Sequence, residues 1–575
     1  MDTDDIFAKL SFGAVFHKTP SKKTPSTKIE QVKSEPSIKS EPEPEPEPQS
    51  SDEGSKNITL LGNISSESNK KSSKSKKKKA PKEDVEKNKQ LLTEKINHFR
   101  NLNHINISGE NIPNPIQNFD ELADQYDVST NLIQNVKNCG YSSPTPIQMQ
   151  AIPVMLKGKQ ILACAPTGSG KTAAFLIPII HHLNRPKNVG FRAVIISPTR
   201  ELSRQTYREC ERLCEGTDLR IHITTKIKDT VKKSVSGAAN KYDILVTTPN
   251  RLVYLLNQEP PSISLKSVEW LIIDESDKLF ETGIRGFRDQ LAVIYQACDS
   301  TNIKRAMFSA TYTTEVAKWS RKNLKDLALV TIGHRNTTVE SVEQQLIYVG
   351  KEEGKLIAMR DLIRQGISPP VLIFLQSKER ARELFQELLY DGINVDVIHA
   401  DRTQLQRDNA VKAFREGKIW VLICTELLGR GIDFKGVNLV INYDFPPTAI
   451  SYIHRIGRTG RAGRKGKAVT FFTDDDAPYL KSVVNVMKES GCEVPEFMLS
   501  LKKIHKKIRK KMETKLPDRG DVASKPHRYK SFLDKQKKEK LGKTENTTQN
   551  DAKKTKKRKN KNQDVNNDKI KKKKT

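Results

Sequence analysis

The sequence predicts an α/β protein of two tandem, doubly wound parallel-sheet domains between disordered, charged ends. Three observations carry that expectation. From about residue 115 to residue 500, short apolar runs closed by turn residues alternate with helical periodicity, and the alternation is laid down twice. The first set contains Ile161-Leu162-Ala163-Cys164-Ala165-Pro166-Thr167-Gly168-Ser169-Gly170-Lys171-Thr172, a strand, a glycine turn and a helix start in the order a phosphate loop requires. Outside this stretch the apolar runs stop. With 35% hydrophobic residues and a mean hydropathy of −0.62, the 575-residue chain is too polar to bury all of itself.

Residues 1–105 read as a low-complexity arm. A Glu-Pro repeat at 41–48 supports neither helix nor sheet, and Lys74-Ser75-Lys76-Lys77-Lys78-Lys79 is a candidate nuclear localisation signal. Asp5-Ile6-Phe7-Ala8-Lys9-Leu10 is a short amphipathic opening, either a docking peptide or loose chain. The first domain, 106–335, takes strands at 161–165, 193–197, 221–225, 244–247, 270–273, 306–308 and 327–332. A second domain, 336–515, repeats the pattern at 345–349, 371–375, 395–399, 421–424, 439–442 and 468–472, without a phosphate loop. Residues 516–575 are a Lys-rich tail.

Net charge is +31; residues 501–575 hold 29 Lys and Arg against 9 Asp and Glu, so +20 sits there. Such a balance points to a polyanion, most simply nucleic acid, with a merely solubilising tail as the alternative. The seven cysteines are scattered, and Cys210 and Cys214 lack a second pair to complete a zinc site. Cys164 and Cys424 read as small core residues. The acidic opening lacks the apolar run of a secretion signal, and no segment reaches the ~18 apolar residues of a membrane span. A soluble, intracellular protein with no membrane partner is expected.

Two constellations carry chemistry. In the glycine turn, Gly168 and Gly170 let backbone N–H groups at a helix N-terminus face phosphate oxygens, Lys171 reaches the β/γ-phosphates, and the Thr172 hydroxyl ligates Mg²⁺. Ala165 stands where the strict motif has glycine, and such a turn can also be purely structural. In Leu271-Ile272-Ile273-Asp274-Glu275-Ser276-Asp277 an apolar strand delivers acids to the sheet's carboxyl edge, where ligands bind in such folds.

In the order of these motifs the chain resembles a DEAD-box RNA helicase over about residues 115–500, which implies two RecA-like domains and RNA-dependent ATP hydrolysis. The resemblance assigns Gly140-Tyr141-Ser142-Ser143-Pro144-Thr145-Pro146-Ile147-Gln148 to the family's Q motif, with Gln148 reading adenine and Phe119 stacking on it. The cofactors implied are ATP, cradled by Ala165, Pro166, Thr167, Gly168, Ser169, Gly170, Lys171 and Thr172, and Mg²⁺ at Thr172 and Asp274. It makes Glu275 the group that polarises the attacking water. Asp277 with Ser309-Ala310-Thr311 would couple hydrolysis to RNA. In Tyr452-Ile453-His454-Arg455-Ile456-Gly457-Arg458-Thr459-Gly460-Arg461 it makes Arg458 and Arg461 arginine fingers, catalytic beside Lys171 and Glu275, and Asp433 a ribose contact. Ser276 replaces the family's alanine; it is not a ligand and is scarcely larger, so activity is expected to survive.

RNA contacts are implied for Pro198, Thr199, Arg200, Thr248, Arg251, Gln404, Arg407 and Thr425, hydroxyls and arginines suited to phosphates and 2′-OH groups and not to base edges. Two departures bear on that grip: Lys226-Ile227-Lys228 replaces a usual Gly-Gly pair, and Glu426 and Gly429 replace the usual Asp and Ala. A closer resemblance is to the Rok-type branch, on Asp5-Ile6-Phe7, Ile107-Ser108-Gly109 with Ile112-Pro113, Lys351-Glu352-Glu353-Gly354-Lys355-Leu356-Ile357-Ala358 and Ser490-Gly491-Cys492-Glu493-Val494-Pro495. That branch implies the nucleus and nucleolus, structured pre-rRNA of the small subunit, and ribosome assembly factors as partners. A monomer is the default. The alternative function is an ATP-gated RNA-binding assembly scaffold, with a DNA helicase a weaker third.

Overall fold

The computed structural model describes residues 82–224, 238–281, 286–333, 341–426, 434, 436–461, 464–501 and 517–522. Asp433, Gly429, Lys226 to Lys228, the Asp5-Ile6-Phe7 opening and the lysine runs at 74–79 and 553–559 lie outside the described residues. The described residues from 95 on belong to one compact unit that holds both sheets, and residues 82–94, the start of the helix Lys82–Leu102, fall in another.

The first lobe has strands β1 (Ile105–Ser108), β2 (Gln160–Cys164), β3 (Ala193–Ile196), β4 (Ile221–Ile223), β5 (Ile244–Thr247), β6 (Trp270–Ile273), β7 (Lys304–Ser309) and β8 (Leu327–Ile332). Their order is β1-β8-β2-β7-β6-β3-β5-β4, parallel throughout except where β1 runs against β8. The second lobe has β9 (Val342–Tyr348), β10 (Val371–Leu375), β11 (Val395–Ile398), β12 (Val421–Thr425), β13 (Leu439–Asn442) and β14 (Gly466–Phe472), in the order β11-β12-β10-β13-β14-β9 and all parallel. These are two RecA-like α/β sheets.

The strands are continuous apolar runs because helices cover both faces of each sheet. Alternate side chains enter opposite cores: Ile161 and Ala163 pack on one side of the first sheet, Leu162 and Cys164 on the other. In the second sheet Leu372 and Phe374 go one way, and Val371, Ile373 and Leu375 the other. Strand pairing sets the site. Cys164 is level with Ser309 and Ile196 with Ile273, so the carboxyl ends of β2, β7, β6, β3 and β5 present their next residues side by side. Main-chain bonds extend the alignment past the strands: Ala165 N donates to Ser309 O at 3.1 Å and Asp274 N to Ile196 O at 3.0 Å.

Three features differ from the sequence reading. β1 is a strand where only an arm boundary was expected; four residues are too few to show a period, and pairing with β8 makes the strand. β9 starts at Val342, ahead of the expected 345, because Glu343 and Gln344 interrupt the apolar run while the ladder to β14 continues. Residues 517–522, read as tail, lie against the second lobe with Val522 4% exposed.

Candidate nucleotide and RNA site

The phosphate loop needs backbone that only glycine adopts cheaply: Gly168 and Gly170 have φ of +78° and +86°. The Q-motif residues hold this loop from behind. Thr145 Oγ1 donates to Ser169 O at 2.7 Å, and Gln148 Nε2 to Gly170 O at 3.0 Å. Gln148 Oε1 accepts from Thr145 N at 2.9 Å, and the side chain is fully buried, so reading a base with the remaining N–H and lone pair requires it to be uncovered. Phe119 is 2% exposed among the core residues of the first lobe; stacking on adenine requires that ring to be uncovered.

Lys171 Nζ donates to Ala165 O and Pro166 O at 2.7 and 2.8 Å, folded over the loop where phosphates would compete for it. Burial lowers its pKa to about 8 against the pull of Asp274, Glu275 and Asp277. Burial, then the neighbouring Glu275, raises the Asp274 carboxyl to about 7. Lys171 offsets only part of this cost of burying a carboxylate. Glu275 itself sits at φ +49°, a conformation costly for a non-glycine residue. Its Oε2 and Ser169 Oγ are buried without a partner. These orphaned oxygens and the under-compensated Asp274 fit a nucleotide with its cation.

Asp277 is the junction. Its Oδ2 accepts from Thr311 Oγ1 at 2.5 Å and lies 2.7 Å from His454 Nε2 of the second lobe; its Oδ1 accepts from Lys278 N at 2.9 Å. Ser309 Oγ donates to Thr311 O at 2.8 Å and accepts from Thr311 N at 3.1 Å. The three coupling candidates are therefore joined, and His454, 1% exposed, is a fourth that the sequence reading gave no role. The signal was present, since His454 stands just before Arg455 in the quoted arginine run, but nothing local points it at a residue 177 positions away.

The lobes also meet at the loop. Thr167 Oγ1 donates to Gly457 O at 2.8 Å, and a Cβ on Gly457 would lie 2.2 Å from that hydroxyl. Arg461 Nε donates to Gly457 O at 2.9 Å, and its Cγ lies 3.4 Å from where a Gly168 Cβ would be. Arg458, 2% exposed, is held by its Nε bond to His454 O at 3.0 Å.

The RNA candidates cluster on a different part of the edge. Thr199 Oγ1 caps the helix Arg200–Leu213 by accepting from Leu202 N at 3.2 Å, and Thr248 precedes the helix Pro249–Leu256. Pro198 is buried, Arg200 exposed, and Thr425 ends β12. Arg251 donates to Thr224 O; burial first, then Arg200 and Arg204, lower its pKa to about 10. Arg407 also contributes, so arginines from both lobes converge there. Gln404 Nε2 donates to Glu201 Oε1 at 3.0 Å, Arg407 Nε lies 3.0 Å from the same carboxylate, and Arg204 pairs with Asp408. Glu426 is engaged by Arg455 Nη2 at 3.2 Å.

Two family models match: the DEAD/DEAH box helicase over residues 145–319 and the helicase conserved C-terminal domain over 354–463. A Bos taurus protein, "Probable ATP-dependent RNA helicase DDX52", is 58% identical over 78% of this chain and 75% of its own length. "ATP-dependent RNA helicase ROK1" of Scheffersomyces stipitis is 44% identical over 78% of this chain and 83% of its own. Among solved structures, S. cerevisiae Dbp5 bound to RNA and ADP BeF3 matches at a TM-score of 0.57 and 27% identity, over 69% of this chain and 100% of that one. Joined to a phosphate loop, an Asp-Glu-Ser-Asp strand end and an arginine run across two lobes, these likenesses settle the family: the chain is a DEAD-box ATP-dependent RNA helicase.

Proposed function

We propose that this helicase hydrolyses ATP between its lobes and uses closure to distort RNA lying across both. The first lobe binds the nucleotide through residues 165–172, with Lys171 leaving its carbonyl partners for the β/γ-phosphates. Mg²⁺ would rest on Thr172, Asp274 and the phosphates, where it would neutralise charge. Glu275 orients and polarises the attacking water; Arg458 and Arg461 answer the charge that spreads over the γ-oxygens. Gln148 and Asp433 would contact the base and ribose. Asp277, Ser309 and Thr311, with His454, transmit closure.

The observation that carries this reading is the shared, buried Asp277, bonded by Thr311 of one lobe and His454 of the other. A carboxylate bonded from both lobes ties their approach to the acids beside the phosphate loop. The convergent arginines favour a sequence-independent grip on phosphates. The Rok-type resemblance and the Lys-rich composition after residue 500 favour structured pre-rRNA of the small subunit, ribosome assembly factors and a nucleolar location; we take the enzyme as a monomer of domains 106–335 and 336–515. The deciding experiment is ATPase rate with and without RNA, and with equivalent DNA, on wild type and Glu275→Gln. RNA-only stimulation abolished by the substitution supports the reading; no stimulation by any RNA moves the assembly scaffold ahead.

A further inference from the structure

In the first lobe the crevice at the carboxyl edge faces the nucleotide. The second lobe has the same topology, and its strand order reverses between β10 and β13, the place where such sheets hold ligands. Here Gln376, just past β10, donates its N–H to Asp444, just past β13, at 2.9 Å. The crevice is filled by the chain itself. Gln376 Nε2 donates to Pro517 O at 2.8 Å, Arg380 donates to Gly520 O, and Glu383 accepts from Val522 N at 2.8 Å.

Arg519 is the plug. Its side chain is 3% exposed; Nη2 donates to Asp476 Oδ1 at 2.6 Å, Nη1 to Glu352 Oε1 at 2.7 Å, and Nε to Gln376 Oε1 at 3.0 Å. Around it Asp444, Asp476 and Glu352 face Lys355, Arg380 and Arg519, so the buried cluster is neutral only with Arg519 in place. Asp444 is the link onward. Arg380 Nη2 and Lys355 Nζ hold its carboxylate at 2.7 and 3.3 Å, and its main-chain oxygen accepts from Arg455 Nη1 at 2.7 Å. Arg455 lies one helical turn before Arg458.

We propose that Arg519 is a positioning residue for ATP hydrolysis: it closes the buried charge cluster that fixes Asp444, and through Arg455 sets the helix end that presents Arg458 and Arg461. This rests on the reading that those two arginines act on the γ-phosphate. The first lobe holds most of the nucleotide, so the effect falls on turnover and not on ATP binding.

The test uses full-length Arg519→Ala, Arg519→Lys, Arg458→Ala and Leu384→Ala, each assayed at saturating RNA well below its melting temperature. Leu384 is fully buried in the apolar core that also takes up Val522, one helical turn beyond Arg380, so its truncation lowers stability without removing an ion pair or hydrogen bond of the charge cluster. Arg519→Ala should lower kcat about tenfold while ATP KM moves less than about twofold. Arg519→Lys, which keeps the charge but not the fork, should recover part of kcat, and Leu384→Ala should keep it. Wild-type kcat in Arg519→Ala beside a collapse in Arg458→Ala overturns this inference alone. Equal loss in Leu384→Ala reduces Arg519 to a folding role. Wild-type kcat in Arg458→Ala overturns the reading beneath it.

Discussion

Ser276 is fully buried and its hydroxyl finds no partner, so the serine of the Asp-Glu-Ser-Asp sequence carries a desolvation cost with no visible return. Ser276→Ala should therefore raise stability by about 1 kcal/mol, measured by denaturant unfolding, and leave RNA-stimulated ATPase unchanged. Its neighbour behaves oppositely. Glu275→Gln keeps the volume and removes the base, and should cut hydrolysis by roughly 100-fold or more while ATP affinity, read by fluorescent-nucleotide titration, holds. The spacing of Asp274, Glu275 and Asp277 was legible because one strand end delivers all three. Beyond the pairing of Asp277 with Thr311 that the resemblance implied, what each would touch was not. The covered ring of Phe119, the use of Gln148 as a prop for the loop, and the His454 bond to Asp277 all depend on residues distant in sequence.

The helix Ala449–Ile456 and the turn after it carry the second lobe's share of the site, and Gly457 is where they come against the loop. Gly457→Ala would drive a methyl into Thr167 Oγ1 and toward Ile453 O, 3.0 Å away. Each lobe should still fold, with RNA-stimulated ATPase falling by about 100-fold and nucleotide binding by the first lobe preserved, the pattern of an interaction made only in the transition state. Behind the helix, burial would raise the Asp444 carboxyl, but Arg380 and Lys355 overrule it and hold it well below the usual carboxylate range. A depressed folded pKa gives stability that is present above the unfolded value and lost as pH falls through the folded one. The second lobe should thus be insensitive to this group down to about pH 4 and weaken in stronger acid. Asp444→Asn leaves Glu352 alone to face the buried Lys355 and Arg380 and should cost about 3–5 kcal/mol at neutral pH, visible as a lowered urea midpoint. Apolar strands such as β10 and β13 were legible from their runs; Arg519 was not, since a lone Arg in a Lys-rich stretch looks like any other cation until the lobe closes over it.

On the scale of the whole molecule, two copies of one architecture divide the labour: one edge is built for phosphates, the other is plugged and supplies arginines. The basic charge after residue 500 is expected to add affinity for RNA. A chain ending at residue 525 should keep kcat but show a shallower slope of log RNA affinity against log salt, by about 0.7–0.9 for each phosphate that the tail would have neutralised. The doubly wound class followed from alternation alone, while β1 escaped because an added edge strand leaves no periodic trace. That strand has a bearing on handling the protein. Ile105 to Ser108 cover the outer side of β8 in register with Ile332 to Leu329, and Arg100 just before them donates to Gln150 Oε1 and to Pro113 O, both at 3.0 Å. A chain begun at residue 115, where the apolar alternation starts, would bare a flat row of β8 amides and carbonyls, the template on which copies stack edge to edge. Light scattering should find such a chain associating with rising concentration while one begun at residue 82 stays dispersed, so the arm's last residues act as a guard against aggregation.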